Sequence, residues 1–375
     1  MQLGARLAIA LQLLAAAGLS GVAGADDGAS GLRPDRPLGL ITPGPWRGLF
    51  LDLPLADTRP GAQPTLTVRW WMANSWSTPT RLLRAGRSIE VQQDEQADVL
   101  EVTGQASWAR LLGQGPVTSR LSTAAAWRLT AHWGGWSDRL IEAWHRIGHY
   151  NGFDRTSHPR DAVRLTLREP GGATAVALTG PRLAPGDLML RTSFRLLEGE
   201  TAHGAWAVVT RFDFKVPTGR LADAGGSGGA DLGLALAASG PLTGWLTAHA
   251  QLTASRLSPL PAALPLQPER WQAGAEASLV AAMPHGWLVL AESRLLSPLF
   301  AGRWSLGEVA PNQADAVTAI TRWQNQLSFG VRKGPVTVWF SEDFTPGRRP
   351  EVGWRWFYDT NAPDLVLGVA IATPW

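Results

Sequence analysis

The 375-residue chain is 45% hydrophobic and 17% charged, with a formal net charge of +3; its mean hydropathy of −0.05 fits neither a disordered acidic tail nor a bundle of membrane helices. It contains no cysteine, which excludes disulfides, cysteine-ligated zinc, iron–sulfur clusters and thiol catalysis together. Arginine carries almost all the positive charge, Lys215 and Lys333 being the sole lysines. No basic run points to nucleic acid, and no cofactor is expected.

In chain order, residues 1–25 come first: one basic residue, Arg6, an apolar run from Leu7 to Leu19, then Ala23-Gly24-Ala25 ahead of Asp26 and Asp27. That is the pattern of an export signal cleaved near Ala25. No later stretch holds about 18 uninterrupted apolar residues, so residues 26–375 are expected to form one exported domain without a spanning helix.

Beyond the signal, apolar residues recur at every second position, the mark of strands with two chemically different faces. Leu66, Val68, Trp70 and Met72 oppose Thr65, Thr67 and Arg69; Trp127, Leu129, Ala131 and Trp133 oppose Arg128, Thr130 and His132. The clearest pair comes next. Leu188, Leu190, Phe194 and Leu196 lie opposite Arg191 and Arg195, while Trp206, Val208, Phe212 and Phe214 lie opposite Arg211, Asp213 and Lys215. Joined by the polar stretch 198–203, the two runs read as a hairpin with five charged side chains on one face. Arg191, Arg195, Arg211, Asp213 and Lys215 either line a water-filled lumen and set its charge selectivity, or form a salt-bridge network that closes a narrow barrel. Alternation resumes at 246–253, 271–279, 323–332 and 352–358, for about 14 spans in all. The intervening stretches 26–45, 171–172, 222–230, 258–268 and 311–314 read as surface loops.

A soluble sandwich alternates too, so the aromatics matter. There are nineteen tryptophans, and Trp133, Trp206, Trp271, Trp323 and Trp356 stand at span ends, where a bilayer interface favours an amphipathic ring. Trp245 has inward parity and breaks that pattern.

Asp138 to Ile147 gives the one helical signal, with acidic residues early, Leu140, Trp144 and Ile147 on one face, and Gly148 as the stop. It reads as a plug, a surface-lying element or a short helix packed over a barrel rim. His145 and His149, with Asp154 and His158 following, are weak metal candidates, because the spacing lacks a zincin glutamate and Gly148 ends the helix first. Gly225-Gly226-Ser227-Gly228-Gly229 matches the G-x-S-x-G pattern, but its serine lies in a glycine-rich loop rather than a strand–turn–helix elbow. His132 and His249 have no assignable serine partner.

At the carboxyl end, Leu367, Val369, Ile371 and Trp375 share one face opposite mostly small residues. Such a terminal strand reads as a signal taken up by outer-membrane assembly machinery through strand addition. Pro374, which lacks a ladder donor, argues for an ordinary last strand instead.

Gly134-Gly135-Trp136-Ser137-Asp138, Ile141-Glu142-Ala143-Trp144-His145, Gly148, Asn151-Gly152, Arg155 and Pro159 resemble the most distinctive stretch of domain-of-unknown-function family 3187. Gly186-Asp187 and Lys215-Val216-Pro217-Thr218-Gly219 are similar to it as well, and the likeness runs from about Leu49 to Phe344, with Phe153 where glycine is expected. The resemblance implies an uncharacterised bacterial outer-membrane β protein and no catalytic residues. The expected fold is an all-β, antiparallel transmembrane barrel of about 12–14 strands with one short helix in a loop. The expected role is passive passage, or binding and uptake, of a small solute, with outer-membrane lipid and assembly machinery as the other partners. A barrel lipid hydrolase and a soluble periplasmic β-sandwich binding protein are the alternatives.

Overall fold

The computed structural model describes residues 35–41, 44–58, 64–77, 79–84, 87–148, 159–260, 264, 266–300, 305–306, 323–343, 347–349, 353–355 and 365–374. Residues 1–25, which carry the pattern of an export signal, lie outside them. Twelve strands form the wall: β1 Thr65–Trp76, β2 Arg87–Ser107, β3 Leu121–Trp133, β4 Leu188–Thr201, β5 Gly204–Val216, β6 Asp231–Pro241, β7 Leu246–Arg256, β8 Trp271–Ala282, β9 Trp287–Leu296, β10 Gln324–Lys333, β11 Val336–Asp343 and β12 Leu365–Pro374. Each pairs antiparallel with its chain neighbour, and β12 closes on β1 from Thr65↔Pro374 to Asn74↔Leu365. Closure leaves no open edge, which removes the sandwich alternative.

The alternation has the expected result, with one residue set turned inward and the other outward. Along β6 the burial pattern alternates strictly, and outward Leu234 and Leu236 are half exposed. Phe212, Leu252, Val289, Phe329 and Val338 project the same way, while Arg211, Asp213, Lys215, Asp231, Glu276 and Glu292 are buried inside. An apolar band of this kind around a polar-lined ring suits the hydrocarbon core of a bilayer. No described helix is long and apolar enough to cross a membrane; strands do the crossing.

The two ends differ. At the turn end lie the short strand connections 202–203, 242–245, 283–286 and 334–335, the longer connection 108–120 with a second short helix, α1 (Trp108–Leu112), the start of β1 and the finish of β12. Connections at the loop end run from about ten residues to more than fifty. Trp271 and Trp323 are exposed at the loop end and Trp287 at the turn end. Trp245, which broke the strand parity, sits exposed in the 242–245 turn beside that second belt.

Several expectations are corrected. The hairpin connection between β4 and β5 shrinks to Ala202 and His203, because a bulge between Arg195 and Leu197 resets the register and lets the strand run on to Thr201. The span at 352–358 adds no wall strand: 353–355 pairs only with 347–349, and 356–358 lies outside the described residues. The helix α2 (Asp138–Gly148) exists, but among its described residues Asp138, Ile141 and Glu142 are buried while Leu140 and Ile147 are exposed. It sits at the rim, where Asn74 Nδ2 donates to Ser137 Oγ at 2.8 Å and Asp138 Oδ1 at 3.0 Å.

The largest correction concerns the loops. Leu38, Leu40 and Ile41, in the stretch read as a surface loop, are buried against wall residues Trp71, Val99, Leu290 and Trp339. Leu257, Leu260, Leu264 and Leu266 from the 258–268 region join Trp46, Phe50, Leu299 and Phe300 in a second apolar cluster. Gly225, Gly226 and Ser227 are buried too. Among the described residues, 171–172 stands exposed as expected and 222–230 does so in part, at Ala222, Gly228 and Ala230; 311–314 is outside the described residues.

Candidate functional site: a plugged lumen

The described residues 35–41 and 44–58 occupy the lumen and cross it twice. Asp35 starts at the turn end, where its carbonyl oxygen is 2.9 Å from His249 Nε2 on β7. The chain climbs past β9 to Leu49 at the loop end, then returns to Thr58, whose hydroxyl meets Ser239 near the foot of β6.

Such a segment has no sheet neighbour, so its buried backbone groups need side-chain partners. The inward faces of the wall supply them. Arg332 donates to the Arg36 carbonyl at 2.7 Å, and Glu292 accepts the N–H groups of Gly39 and Leu40, both at 3.2 Å. Gln251 holds the returning pass, accepting from Ala56 N at 3.0 Å and donating to the Leu53 and Pro54 carbonyls at 3.2 and 3.1 Å. Arg294 spans both passes: it ion-pairs with Asp52, and donates to Leu40 O at 3.4 Å and Leu53 O at 3.2 Å. Pro37, Pro45 and Pro54 reduce the number of donors that need a partner.

Gly39 shows why the residue type matters. Its φ of +59° lies in the left-handed region, and a Cβ there would stand 3.1 Å from the Leu55 carbonyl of the returning pass. Glycine alone adopts this bend cheaply, and the bend points two successive N–H groups at one carboxylate. On the wall, Trp339 finds its place between Gly330 and Gly368, its register partners on β10 and β12, which leave room for the indole.

At the apex, the fully buried Lys215 ties the plug to the loop end. Its ammonium lies 2.9 Å from Asp187 Oδ2 and 3.1 Å from Asp231 Oδ2, and donates to the Leu49 carbonyl at 2.9 Å and Ser227 Oγ at 2.5 Å. Ser227, the serine of the glycine-rich loop, is thus part of a structural knot. Its backbone N–H also donates to Leu49 O at 2.9 Å. His132 Nδ1 is 2.7 Å from Glu95 Oε2, a buried pair rather than a serine partner.

The five charged residues of the β4–β5 hairpin therefore divide. Asp213 and Lys215 belong to buried ion-pair networks, Asp213 accepting from Arg211 Nε at 2.7 Å and facing Arg191 Nε at 3.2 Å. Arg191 and Arg211 also line a cavity of about 120 Å³ between plug and wall. Arg195 lines a neighbouring cavity of about 520 Å³ toward the turn end and pairs with Glu198 at 2.5 Å. The two alternatives for this face, lumen lining and internal network, are each realised by part of it.

Among the metal candidates, His145 lies on α2, its side chain not among those described; His149, Asp154 and His158 are outside the described residues. Leu367, Val369 and Ile371 lie on the outward face of β12, with Gly368, Ala370 and Ala372 turned inward; Trp375 is outside the described residues. The plug stretch carries neither strand alternation nor a catalytic motif, so local pattern does not mark it as a site. Its overlooked signal is the dense apolar run Leu49, Phe50, Leu51, Leu53 and Leu55 just before the first strand.

No protein-family model matches the chain, and no curated protein matches it in sequence. Among solved structures, an outer membrane channel from Pseudomonas putida F1 is similar at 12% identity and TM-score 0.47, over 85% of this chain and 97% of that one. The transport unit of the autotransporter AIDA-I from Escherichia coli is similar at 7% identity and TM-score 0.38, over 86% and 93%. A FadL homologue from Pseudomonas aeruginosa is similar at 9% identity and TM-score 0.35, over 83% and 90%.

Proposed function

We propose that this protein is an outer-membrane barrel that passes a small solute through a lumen closed at rest by its own N-terminal segment. The double passage of residues 35–58 carries the reading, because the plug is held by side-chain-to-backbone hydrogen bonds rather than by a sheet ladder. Each such bond is worth about 0.5–1.5 kcal/mol net, or about 1.5–3 kcal/mol where the side chain is charged, so the contacts can be exchanged one after another for water. A wall built to stay solid would instead be filled by its own interlocking side chains. In barrels of this type short turns face the periplasm and long connections face outward, which places the turn end inside the cell envelope. The export-signal pattern of residues 1–25 supports an envelope destination.

The test is solute flux into liposomes. The intact protein should be nearly impermeable, and the variant lacking residues 35–58 should pass small sugars at least tenfold faster. A deletion variant that still shows the heat-dependent gel shift of a folded barrel but remains impermeable would sink the reading.

We also propose that Leu367, Val369, Ile371 and Trp375 carry the signal for assembly. Their support is the apolar outward face of β12, the strand that closes the ring. Removing Trp375 should lower folded protein in the outer membrane severalfold while leaving export intact; an unchanged folded yield counts against the signal.

A further inference from the structure

The turn-end half of the lumen holds more positive charge than its own carboxylates neutralise. Glu101 accepts from Arg69 Nη1 at 2.8 Å and Arg128 Nε at 2.9 Å, and Asp213 is shared by Arg211 and Arg191. Four guanidiniums thus share two carboxylates. The Arg191 and Arg211 side chains are only 8% and 5% exposed, and each keeps an Nη2 group with no hydrogen-bond partner in the protein. A buried guanidinium donor without an acceptor costs free energy unless an anion or solvent meets it.

Both groups line the 120 Å³ cavity, together with Arg36, Arg69 and Arg332; Asp57 is the single acid among its described lining residues. The adjoining 520 Å³ chamber adds Arg110, Arg120 and Arg195 and no acid. Ser107, Ser122 and Ser193 line both, so the two chambers adjoin across these small side chains, the larger toward the turn end and the smaller against the buried arginines. The acids of the opposite wall make their hydrogen bonds elsewhere, Glu276 accepting from Arg294 at 3.2 Å and Glu292 from the plug backbone, and they act on Arg211, Arg69 and Arg332 only through longer-range attraction. Neither lines either chamber.

We propose that this vestibule binds a small anion bearing carboxylate or phosphate groups, the exposed Arg110 and Arg120 drawing it in and Arg191 and Arg211 seating it. The inference rests on the lumen being a solute path and names the charge class of the solute. Planar guanidiniums suit such oxygens because they offer paired donors in a fixed fork. A one-signed cleft with low-dielectric walls also concentrates its counter-ion.

The experiment is calorimetric titration of the full-length protein, in neutral detergent at low salt, with citrate and with inorganic phosphate, erythritol serving as the uncharged control. Citrate should bind and erythritol should not. Arg191→Gln with Arg211→Gln should weaken citrate at least tenfold. Because that pair also touches Asp213, a second variant is needed: Arg110→Gln with Arg120→Gln, both exposed, should keep the folded-barrel gel shift and weaken citrate about threefold. Phosphatidylglycerol added to the micelles should not displace citrate; displacement would overturn a free solute in favour of a lipid headgroup. No citrate binding to the wild type, or equal binding in both variants, would overturn the site. A barrel that binds citrate yet stays impermeable without its plug fails only the passage reading, whereas flux through the plug-deleted barrel with no citrate binding fails only the anion site.

Discussion

Arg294→Met should turn a silent barrel into a conducting one. The guanidinium sits between β9 and both passes of the plug, pairing with Asp52 and Glu276 and holding the Leu40 and Leu53 carbonyls. Removing it strands two buried carboxylates and two carbonyl oxygens, and breaking a buried pair by losing one partner costs about 3–5 kcal/mol. Asp52 and both carbonyls lie on the plug, so the penalty falls mainly on the closed state. A shift of that size, at about 1.4 kcal/mol per tenfold, corresponds to roughly a hundredfold or more in the open population. Single-channel recording reads it directly. Adding Asp52→Asn removes one of the stranded charges and should restore part of the closure. A folded Arg294→Met barrel as quiet as the wild type would show that the plug does not depend on this anchor.

Lys215→Met should act on stability rather than on gating alone. The ammonium lies between Asp187 and Asp231 with no exposure to solvent. Its loss leaves two carboxylates close together in a dry site, again worth about 3–5 kcal/mol. These residues join the β5–β6 connection, the start of β4 and the plug apex, so the temperature at which the barrel unfolds on gels should drop markedly. Lys215→Met combined with Asp187→Asn and Asp231→Asn should recover most of the loss, since replacing a whole buried ionic group with neutral side chains is far milder than removing one member. If the single variant matches the wild type in heat resistance, the knot contributes little.

Much of the wall was legible in the residues. A period of two needs only neighbouring positions, and the faces it defines at 188–196, 206–216 and 271–279 are the faces the barrel uses. The weak points are places where local pattern and pairing part company. At 352–358 the alternation is real, yet 353–355 finds its partner in 347–349 and joins no wall strand. On α2, Leu140 and Ile147 share an apolar face, yet both are exposed, and Asp138, Ile141 and Glu142 are buried. In a membrane protein apolar residues need not point toward protein, so the helical stripe alone does not say which side is covered.

The site was half legible for a related reason. The charged inward face of the β4–β5 hairpin follows from parity, but which of its members meet each other and which meet open space depends on strands far away in sequence. Asp213 reaches its guanidinium partners within the hairpin, Lys215 meets Asp187 and Asp231 across it, and Arg191 and Arg211 reach a cavity also lined by Arg36 and Arg332.

Alternation, the nineteen tryptophans and the absence of cysteine were enough for the sequence alone to determine strands with one apolar and one charged face and to favour a barrel over a sandwich, because two-faced strands are a property of residue order along a single strand, whereas closure of the ring is not. Tertiary structure alone decided that the number of wall strands is twelve, that the lumen is filled, and that residues 35–58 fill it. A segment rich in proline and glycine looks like a surface loop when its backbone is assumed to bond to water. Here Glu292, Arg294, Gln251, Arg332 and Lys215 take the place of water, and they stand some 160 to 300 residues further along the chain, brought to the plug only when the ring closes.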